Sequence, residues 1–173
     1  MDLKPFVKTV PNWPRPGVNF LDISGILAKP EALDHCITRV AYTIRHLNVT
    51  SVVAVESRGF LFAAGAAAQA GVPLILARKA GKLPGQCHTV TYDTEYSQDS
   101  LQIQTQAKPG PHVLIVDDLL ATGGTILAVN RLLRDHWSVN SVSAQVIINL
   151  GFLPGQQNLA DNSISLDWIT KYE

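Results

Sequence analysis

Short aliphatic runs separated by stretches of helical composition constrain this chain more than any other feature. Ser51-Val52-Val53-Ala54-Val55, Leu74-Ile75-Leu76-Ala77 and Val113-Leu114-Ile115-Val116 are apolar or β-branched without alternating polar residues, and the segment from Val142 to Leu150 supplies another strand. A strand with one wet face alternates, whereas a strand covered on both faces does not. Between these runs, Pro30 to Leu47 repeats apolar residues at helical spacing (Leu33, Ile37, Val40, Ala41, Ile44). Gly59 to Ala70 is alanine-rich and ends at Gly71, with Pro73 beyond, and Gly124 to Asp135 carries Ile126, Val129, Leu132 and Leu133 on one side. Strands alternating with helices specify βαβ units, hence an α/β fold with a mostly parallel central sheet flanked by helices.

At 173 residues the chain is long enough for one core and short for two, so a single domain over 1–173 is expected. Lys plus Arg and Asp plus Glu both number 14, which leaves no basic excess of the kind a nucleic-acid binder uses to neutralise phosphates. No stretch reaches the roughly 20 apolar residues of a membrane span, and the first residues lack an apolar signal-peptide core. Cys36 and Cys87 form neither a disulfide framework nor a zinc motif and read as reduced thiols of a cytoplasmic protein.

Ligands of open parallel sheets bind beyond the carboxyl ends of the strands. That rule selects Glu56 to Phe60, the residues from Arg78 onward, and Asp117 to Thr125. The last segment, within VLIVDDLLATGGT at Val113 to Thr125, carries the most chemistry. Gly123 and Gly124 let the backbone approach a ligand without a Cβ in the way. Amides at the start of the following helix suit a phosphate, and the hydroxyls of Thr122 and Thr125 add donors. Asp117 and Asp118 can accept hydrogen bonds from a ribose diol. One ligand that combines a phosphate with a ribose accounts for the whole set. The Gly-Lys-Ser/Thr of a kinase-type phosphate loop is missing, which argues against that class. The polar segment 80–100 contains Gly81, Pro84, Gly85, Asp93, Glu95 and Asp99 and is expected to be a lid loop. Thr89 to Tyr92 and Leu101-Gln102-Ile103 within and beside it have the composition to pair as a hairpin.

VLIVDDLLATGGT resembles the phosphoribosyl-pyrophosphate motif of the type I phosphoribosyltransferases. Together with ESRGFLF at Glu56 to Phe62, RKAGKLPG at Arg78 to Gly85, PNWPRPGVNFLDIS near the start and TYDTEYSQDSLQI, it is similar to the adenine phosphoribosyltransferase family over nearly the whole chain. The resemblance implies the type I phosphoribosyltransferase fold, with residues 1–29 as a small hood that recognises the base and 80–100 as a flexible catalytic loop. It also implies formation of AMP and pyrophosphate from adenine and phosphoribosyl pyrophosphate, magnesium carried mainly by the diphosphate and water, and a homodimer. The amides of Ala121, Thr122, Gly123, Gly124 and Thr125 would cradle the 5-phosphate, and Asp117 and Asp118 would hold the ribose hydroxyls. Ser57, Arg58, Arg78, Lys79 and Lys82 would meet the pyrophosphate, with Arg78 reaching toward a neighbouring subunit's site. Glu95 would hydrogen-bond the imidazole edge of the base and take part in proton transfer, while Tyr92 and Tyr96 help close the lid. Main-chain groups at Asn19 and Phe20 would read the base edge, and Phe20 and Leu119 would sandwich the ring.

The resemblance also implies a cis peptide near Ser57. The chain departs from the family at Leu21, where Phe-Arg-Asp is usual and Phe20-Leu21-Asp22 stands here. A guanidinium carries five donors and a charge that leucine lacks. Another purine, hypoxanthine or guanine, therefore stays open as the acceptor, as does a non-catalytic sensor of phosphoribosyl pyrophosphate.

Overall fold

The computed structural model describes residues 1–93 and 98–173. In chain order the elements are β1 (Lys8–Pro11), β2 (Asn19–Asp22), α1 (Ser24–Leu27), α2 (Pro30–His46), β3 (Ser51–Val55), α3 (Gly59–Ala70), β4 (Leu74–Lys79), β5 (Cys87–Asp93), β6 (Gln98–Gln104), β7 (His112–Leu120), α4 (Gly124–His136), β8 (Ser141–Leu150), α5 (Gly155–Asp161) and β9 (Ser165–Tyr172). Seven strands form the main sheet in the order β5-β6-β4-β3-β7-β8-β9. The five from β4 to β9 in that order run parallel, and β6 and β5 extend the sheet antiparallel. This is the α/β architecture expected from the aliphatic runs.

The reason those runs do not alternate is visible in the packing. Val52 and Ala54 of β3, with Leu114 and Val116 of β7, face a core made with α2 and α3. Val53 and Val55, with Val113 and Ile115, face a second core made with α4 and α5. All eight are buried, because helices cover both faces of the sheet. Pro30 opens α2, where its missing N–H is no loss, and Gly71 ends α3 at φ 72°. Cys36 lies wholly buried on α2, and burial pushes its thiol up to about 12, so it behaves as a core residue.

Several boundaries differ from the sequence reading. Within 80–100, residues 87–93 and 98–100 are strand: β5 and β6 pair from Cys87↔Gln104 to Asp93↔Gln98, a longer ribbon than the pairing expected between Thr89 to Tyr92 and Leu101 to Ile103. Its polar residues lie on the outer side of an edge ribbon, while Val90, Leu101 and Ile103 are buried beneath, and period-2 burial of so few apolar residues is a weak signal. The ribbon docks on α4 through His88, whose ring stacks on His136 at 3.7 Å and meets Trp137 edge-on at 5.0 Å. Strand β7 continues through Asp117 and Asp118 to Leu120, so the two acids lie within the strand rather than after it. The elements beyond Leu150, α5 and β9, are not apparent from periodicity. Strand β9 is an edge strand, partly exposed along most of its length, which hides the aliphatic signature seen in the centre. Among the described residues no helix is long and apolar enough to cross a membrane.

The chain from β3 crosses to β4 on one side, while β7 pairs with β3 on the other. The crevice between the carboxyl ends of β3 and β7 is thus the topological switch point, where open α/β sheets bind ligands. Gly59, at the first turn of α3, lets the chain leaving β3 lie directly on β7: a Cβ there would stand 2.6 Å from the Val116 carbonyl oxygen and 3.1 Å from Asp117 Cα. Both contacts are backbone and cannot swing away. Gly59→Ala is expected to destabilise the fold by about 1–3 kcal/mol, measured as a lower midpoint of urea unfolding.

Candidate active site

A cavity of about 420 Å³ opens at the switch point. Its floor comes from β7 and the turn into α4, Asp117 to Ile126, and its walls from Glu56, Ser57 and Arg58 after β3, Lys79 at the end of β4, and Tyr92, Asp99 and Leu101 of the hairpin. Residues dispersed over 71 positions of sequence, 56 to 126, are brought together because three parallel strands end on the same side.

Asp117 and Asp118 are both buried. Asp117 accepts the Asp118 amide at 2.8 Å, and Arg58 Nε lies 2.9 Å from Asp118 Oδ2. That guanidinium contact is a charge contact, since the N–H does not point along the line to the oxygen. Burial, followed by the charge of its neighbour, pushes Asp117 well above the usual carboxylate range. Burial also raises Asp118, partly opposed by Arg58. The two acids titrate as a pair.

The turn after β7 leads into α4 through Gly123, which sits at φ 87° and serves as the helix N-cap. A side chain at that backbone angle is strained, and no described side chain caps the helix. The first amides of a helix have no partner within it, so the amides here are free to receive an anion. Tyr92 lines the cavity together with Thr125, which brings the hairpin against this turn.

Cationic side chains are divided between two places. Arg58 and Lys79 line the cavity, with Lys79 Nζ 2.9 Å from Asp99. Arg78 and Lys82 instead converge outside the lining on Glu56, at 3.1 and 3.2 Å, and the Lys79 amide donates to the same carboxylate at 2.9 Å. Burial would raise Glu56, but the Lys79 amide, Arg78 and Lys82 outweigh it and hold the carboxyl below its ordinary value. The sequence reading gave Glu56 no role. Its signal, an acid at the carboxyl end of a buried strand, was the same one that selected Asp117 and Asp118. The Glu56–Ser57 peptide is cis, as the family resemblance implies.

In the N-terminal hairpin β1 pairs with β2, Val10 opposite Phe20 and Pro11 opposite Asn19. Leu119 lines the cavity, whereas Asn19 and Phe20 stand beside it. The link is Arg58, whose guanidinium lies 4.9 Å from the Phe20 ring and whose Nη1 donates to the Leu21 carbonyl at 3.4 Å. The Leu21 side chain points the other way and is buried in the core. Glu95 and Tyr96 lie outside the described residues.

Residues 22–149 match the phosphoribosyl transferase domain. The adenine phosphoribosyltransferase of Shewanella loihica is 41% identical over 99% of this chain and 94% of its own length. That of Mycoplasmopsis agalactiae is 40% identical over 99% of this chain and all of its own length. The chain belongs to the adenine phosphoribosyltransferase family. Among solved members, the Giardia lamblia enzyme in complex with 9-deazaadenine superposes with a TM-score of 0.92 at 34% identity, covering 99% of this chain and 97% of that one. The Saccharomyces cerevisiae enzyme, solved with an imino-altritol bisphosphate and adenine, gives 0.85 at 33% identity and covers 96% of each chain. The fold is therefore the type I phosphoribosyltransferase fold of the family.

A carboxyl whose folded pKa lies above its unfolded value contributes nothing adverse in acid. Its stabilisation, relative to high pH, is present below the unfolded pKa and is lost as the pH rises through the folded one. Asp117 is such a group. Asp117→Asn keeps the acceptor for the Asp118 amide and removes the ionisation. It is expected to raise the thermal midpoint at neutral pH by a few degrees, about 1 kcal/mol, with the gain disappearing below the carboxylate range. Thermal unfolding scans at neutral and acid pH check this.

Proposed function

We propose that the chain transfers the 5-phosphoribosyl group of phosphoribosyl pyrophosphate to adenine, forming AMP and pyrophosphate. The observation that carries the reading is the union, in one cavity, of a glycine turn with free helix-start amides, two buried carboxylates, and Arg58 with Lys79. Relatives about 40% identical over the full chain act on adenine by name, which supports adenine over hypoxanthine or guanine and supports an enzyme over a sensor.

In this reading the amides from Ala121 to Thr125 and the hydroxyls of Thr122 and Thr125 hold the 5-phosphate. Asp117 and Asp118 accept hydrogen bonds from the ribose hydroxyls. The negative charge this pair takes up once bound hydroxyls and nearby cations offset its burial favours the oxocarbenium character that develops as the bond from the anomeric carbon to pyrophosphate breaks. Ser57, Arg58 and Lys79 stabilise the leaving pyrophosphate. Arg78 and Lys82 now neutralise Glu56, and contribute to the pyrophosphate if they release it. A base nitrogen forms the new bond to the anomeric carbon and gives up its proton, which Glu95 accepts. Asn19 and Phe20 present main-chain groups to the base, and Leu119 packs on its ring. With Leu21 turned into the core, backbone contacts carry this recognition, steadied by Arg58 against the Leu21 carbonyl.

Two adjacent carboxylates beside a site for a diphosphate are a donor set that suits magnesium, which prefers one or two carboxylates together with phosphate oxygens and water. Asp117 and Asp118 would be the residues that hold it, and the ion would supply neutralisation of the leaving group. The family resemblance supports a homodimer working in the cytoplasm. Residues 1–29 serve as the base-recognition hood and 80–100 as the lid.

Incubation with phosphoribosyl pyrophosphate, magnesium and each purine in turn is expected to give AMP fastest. The proposal fails if adenine is the poorest acceptor in that panel. Glu95→Gln should lower kcat by about 10²-fold or more while leaving phosphoribosyl pyrophosphate bound, and unchanged turnover would remove the acid–base role.

A further inference from the structure

We propose that Asn158, on α5, is a positioning residue that keeps the phosphate-binding turn open to its ligand. The proposal rests on the reading of that turn as the 5-phosphate cradle. In a trans peptide the C=O and the next N–H point in opposite directions. A turn can therefore offer amides to an anion only if its carbonyls are drawn the other way. All three carbonyls of the turn are drawn away. Ala121 O accepts the Gly155 amide at 3.0 Å, Thr122 O accepts Asn158 Nδ2 at 2.9 Å, and Gly123 O accepts the Leu127 amide at 3.0 Å.

The first and third of these bonds are made by backbone and survive any side-chain change. The middle one depends on a single side chain. It also holds the peptide most able to turn over, because Gly123 at φ 87° has no Cβ to oppose the alternative orientation. If the Thr122–Gly123 peptide turned, a carbonyl oxygen would replace an N–H at the mouth of the cradle and repel a phosphate. Asn158 is itself held firmly. Its amide donates to Pro154 O at 2.9 Å, its carbonyl accepts Asn162 Nδ2 at 2.8 Å, and one residue on, Leu159 is wholly buried in the core shared with α4. A rigid element outside the cavity thus sets the polarity of the turn inside it.

Titration calorimetry with ribose 5-phosphate, and separately with magnesium pyrophosphate, tests this on the wild-type protein, Asn158→Ala and Asn158→Asp. Asn158→Ala is expected to bind ribose 5-phosphate about five- to tenfold more weakly, as for loss of one hydrogen bond. Asn158→Asp, nearly isosteric but without a donor when ionised, should be weaker still. Pyrophosphate affinity should be unchanged in both, with thermal midpoints within about 4 °C of wild type. In turnover the KM for phosphoribosyl pyrophosphate should rise with the KM for adenine unchanged. Variants that bind ribose 5-phosphate like wild type overturn the brace alone, as does an equal loss of both ligands. A wild-type protein that ignores ribose 5-phosphate overturns the functional reading and the brace with it. Should Asn158→Ala fold poorly, Asn158→Asp carries the test.

Discussion

Two adjacent carboxylates, Asp117 and Asp118, are held out of water on β7, the middle of the five parallel strands, and Arg58 is the cation beside them. Burial of such a pair is costly, and one nearby guanidinium offsets the cost only in part, since both acids remain shifted toward their neutral forms. The arrangement persists because the sheet leaves it no alternative. Strand β7 is paired on both sides, with β3 and β8, so its backbone cannot move the acids toward solvent. Arg58 is fixed in turn by the close approach of Gly59 to β7. Stability is given up locally at the place where a polar ligand with hydroxyls and phosphates can restore what water supplied.

The charges around the cavity are arranged in two tiers. Arg58 and Lys79 face it directly, each beside an acid, Asp118 and Asp99. Glu56, itself on the cavity wall, gathers Arg78 and Lys82 from outside the lining and accepts the Lys79 amide. The proposed diphosphate site needs cations, but cations left alone repel one another in a dry cleft. Internal acids hold them in place without a ligand and can be exchanged for phosphate oxygens when one arrives. The N-terminal hairpin joins this network through a single residue, because Arg58 touches both Asp118 and the Phe20–Leu21 segment. Arg58 thereby links the acids proposed to hold the ribose to the segment proposed to read the base.

Much of this was legible in the residues. Aliphatic runs without alternation mark strands covered on both faces, and β3, α2, α3, α4 and β8 lie within a residue or so of where composition and periodicity put them. VLIVDDLLATGGT carries its own local physics, a buried strand followed by a turn that only glycine makes easily, and so it marked the acids and the turn that line the cavity before any fold was known. The hairpin β5–β6 was legible only in part, since its outer face is polar and only a few apolar residues are buried beneath it. Strand β9 and helix α5 were not legible, because an edge strand and a seven-residue helix bury too few residues to leave a period.

The sequence by itself determined the class of fold, the glycine turn after the twin acids and the family, because each depends on residues adjacent in the chain. Which cations face the cavity and which are taken up by Glu56, and the turning of Leu21 into the core, were decided by tertiary structure alone. So was the support of the turn by Asn158, 36 residues away in sequence. These depend on distances between residues remote in the chain. Only the parallel pairing of β4, β3 and β7, which ends the strands on one side, and the return of the chain through α5 bring such residues within a few ångströms of one another.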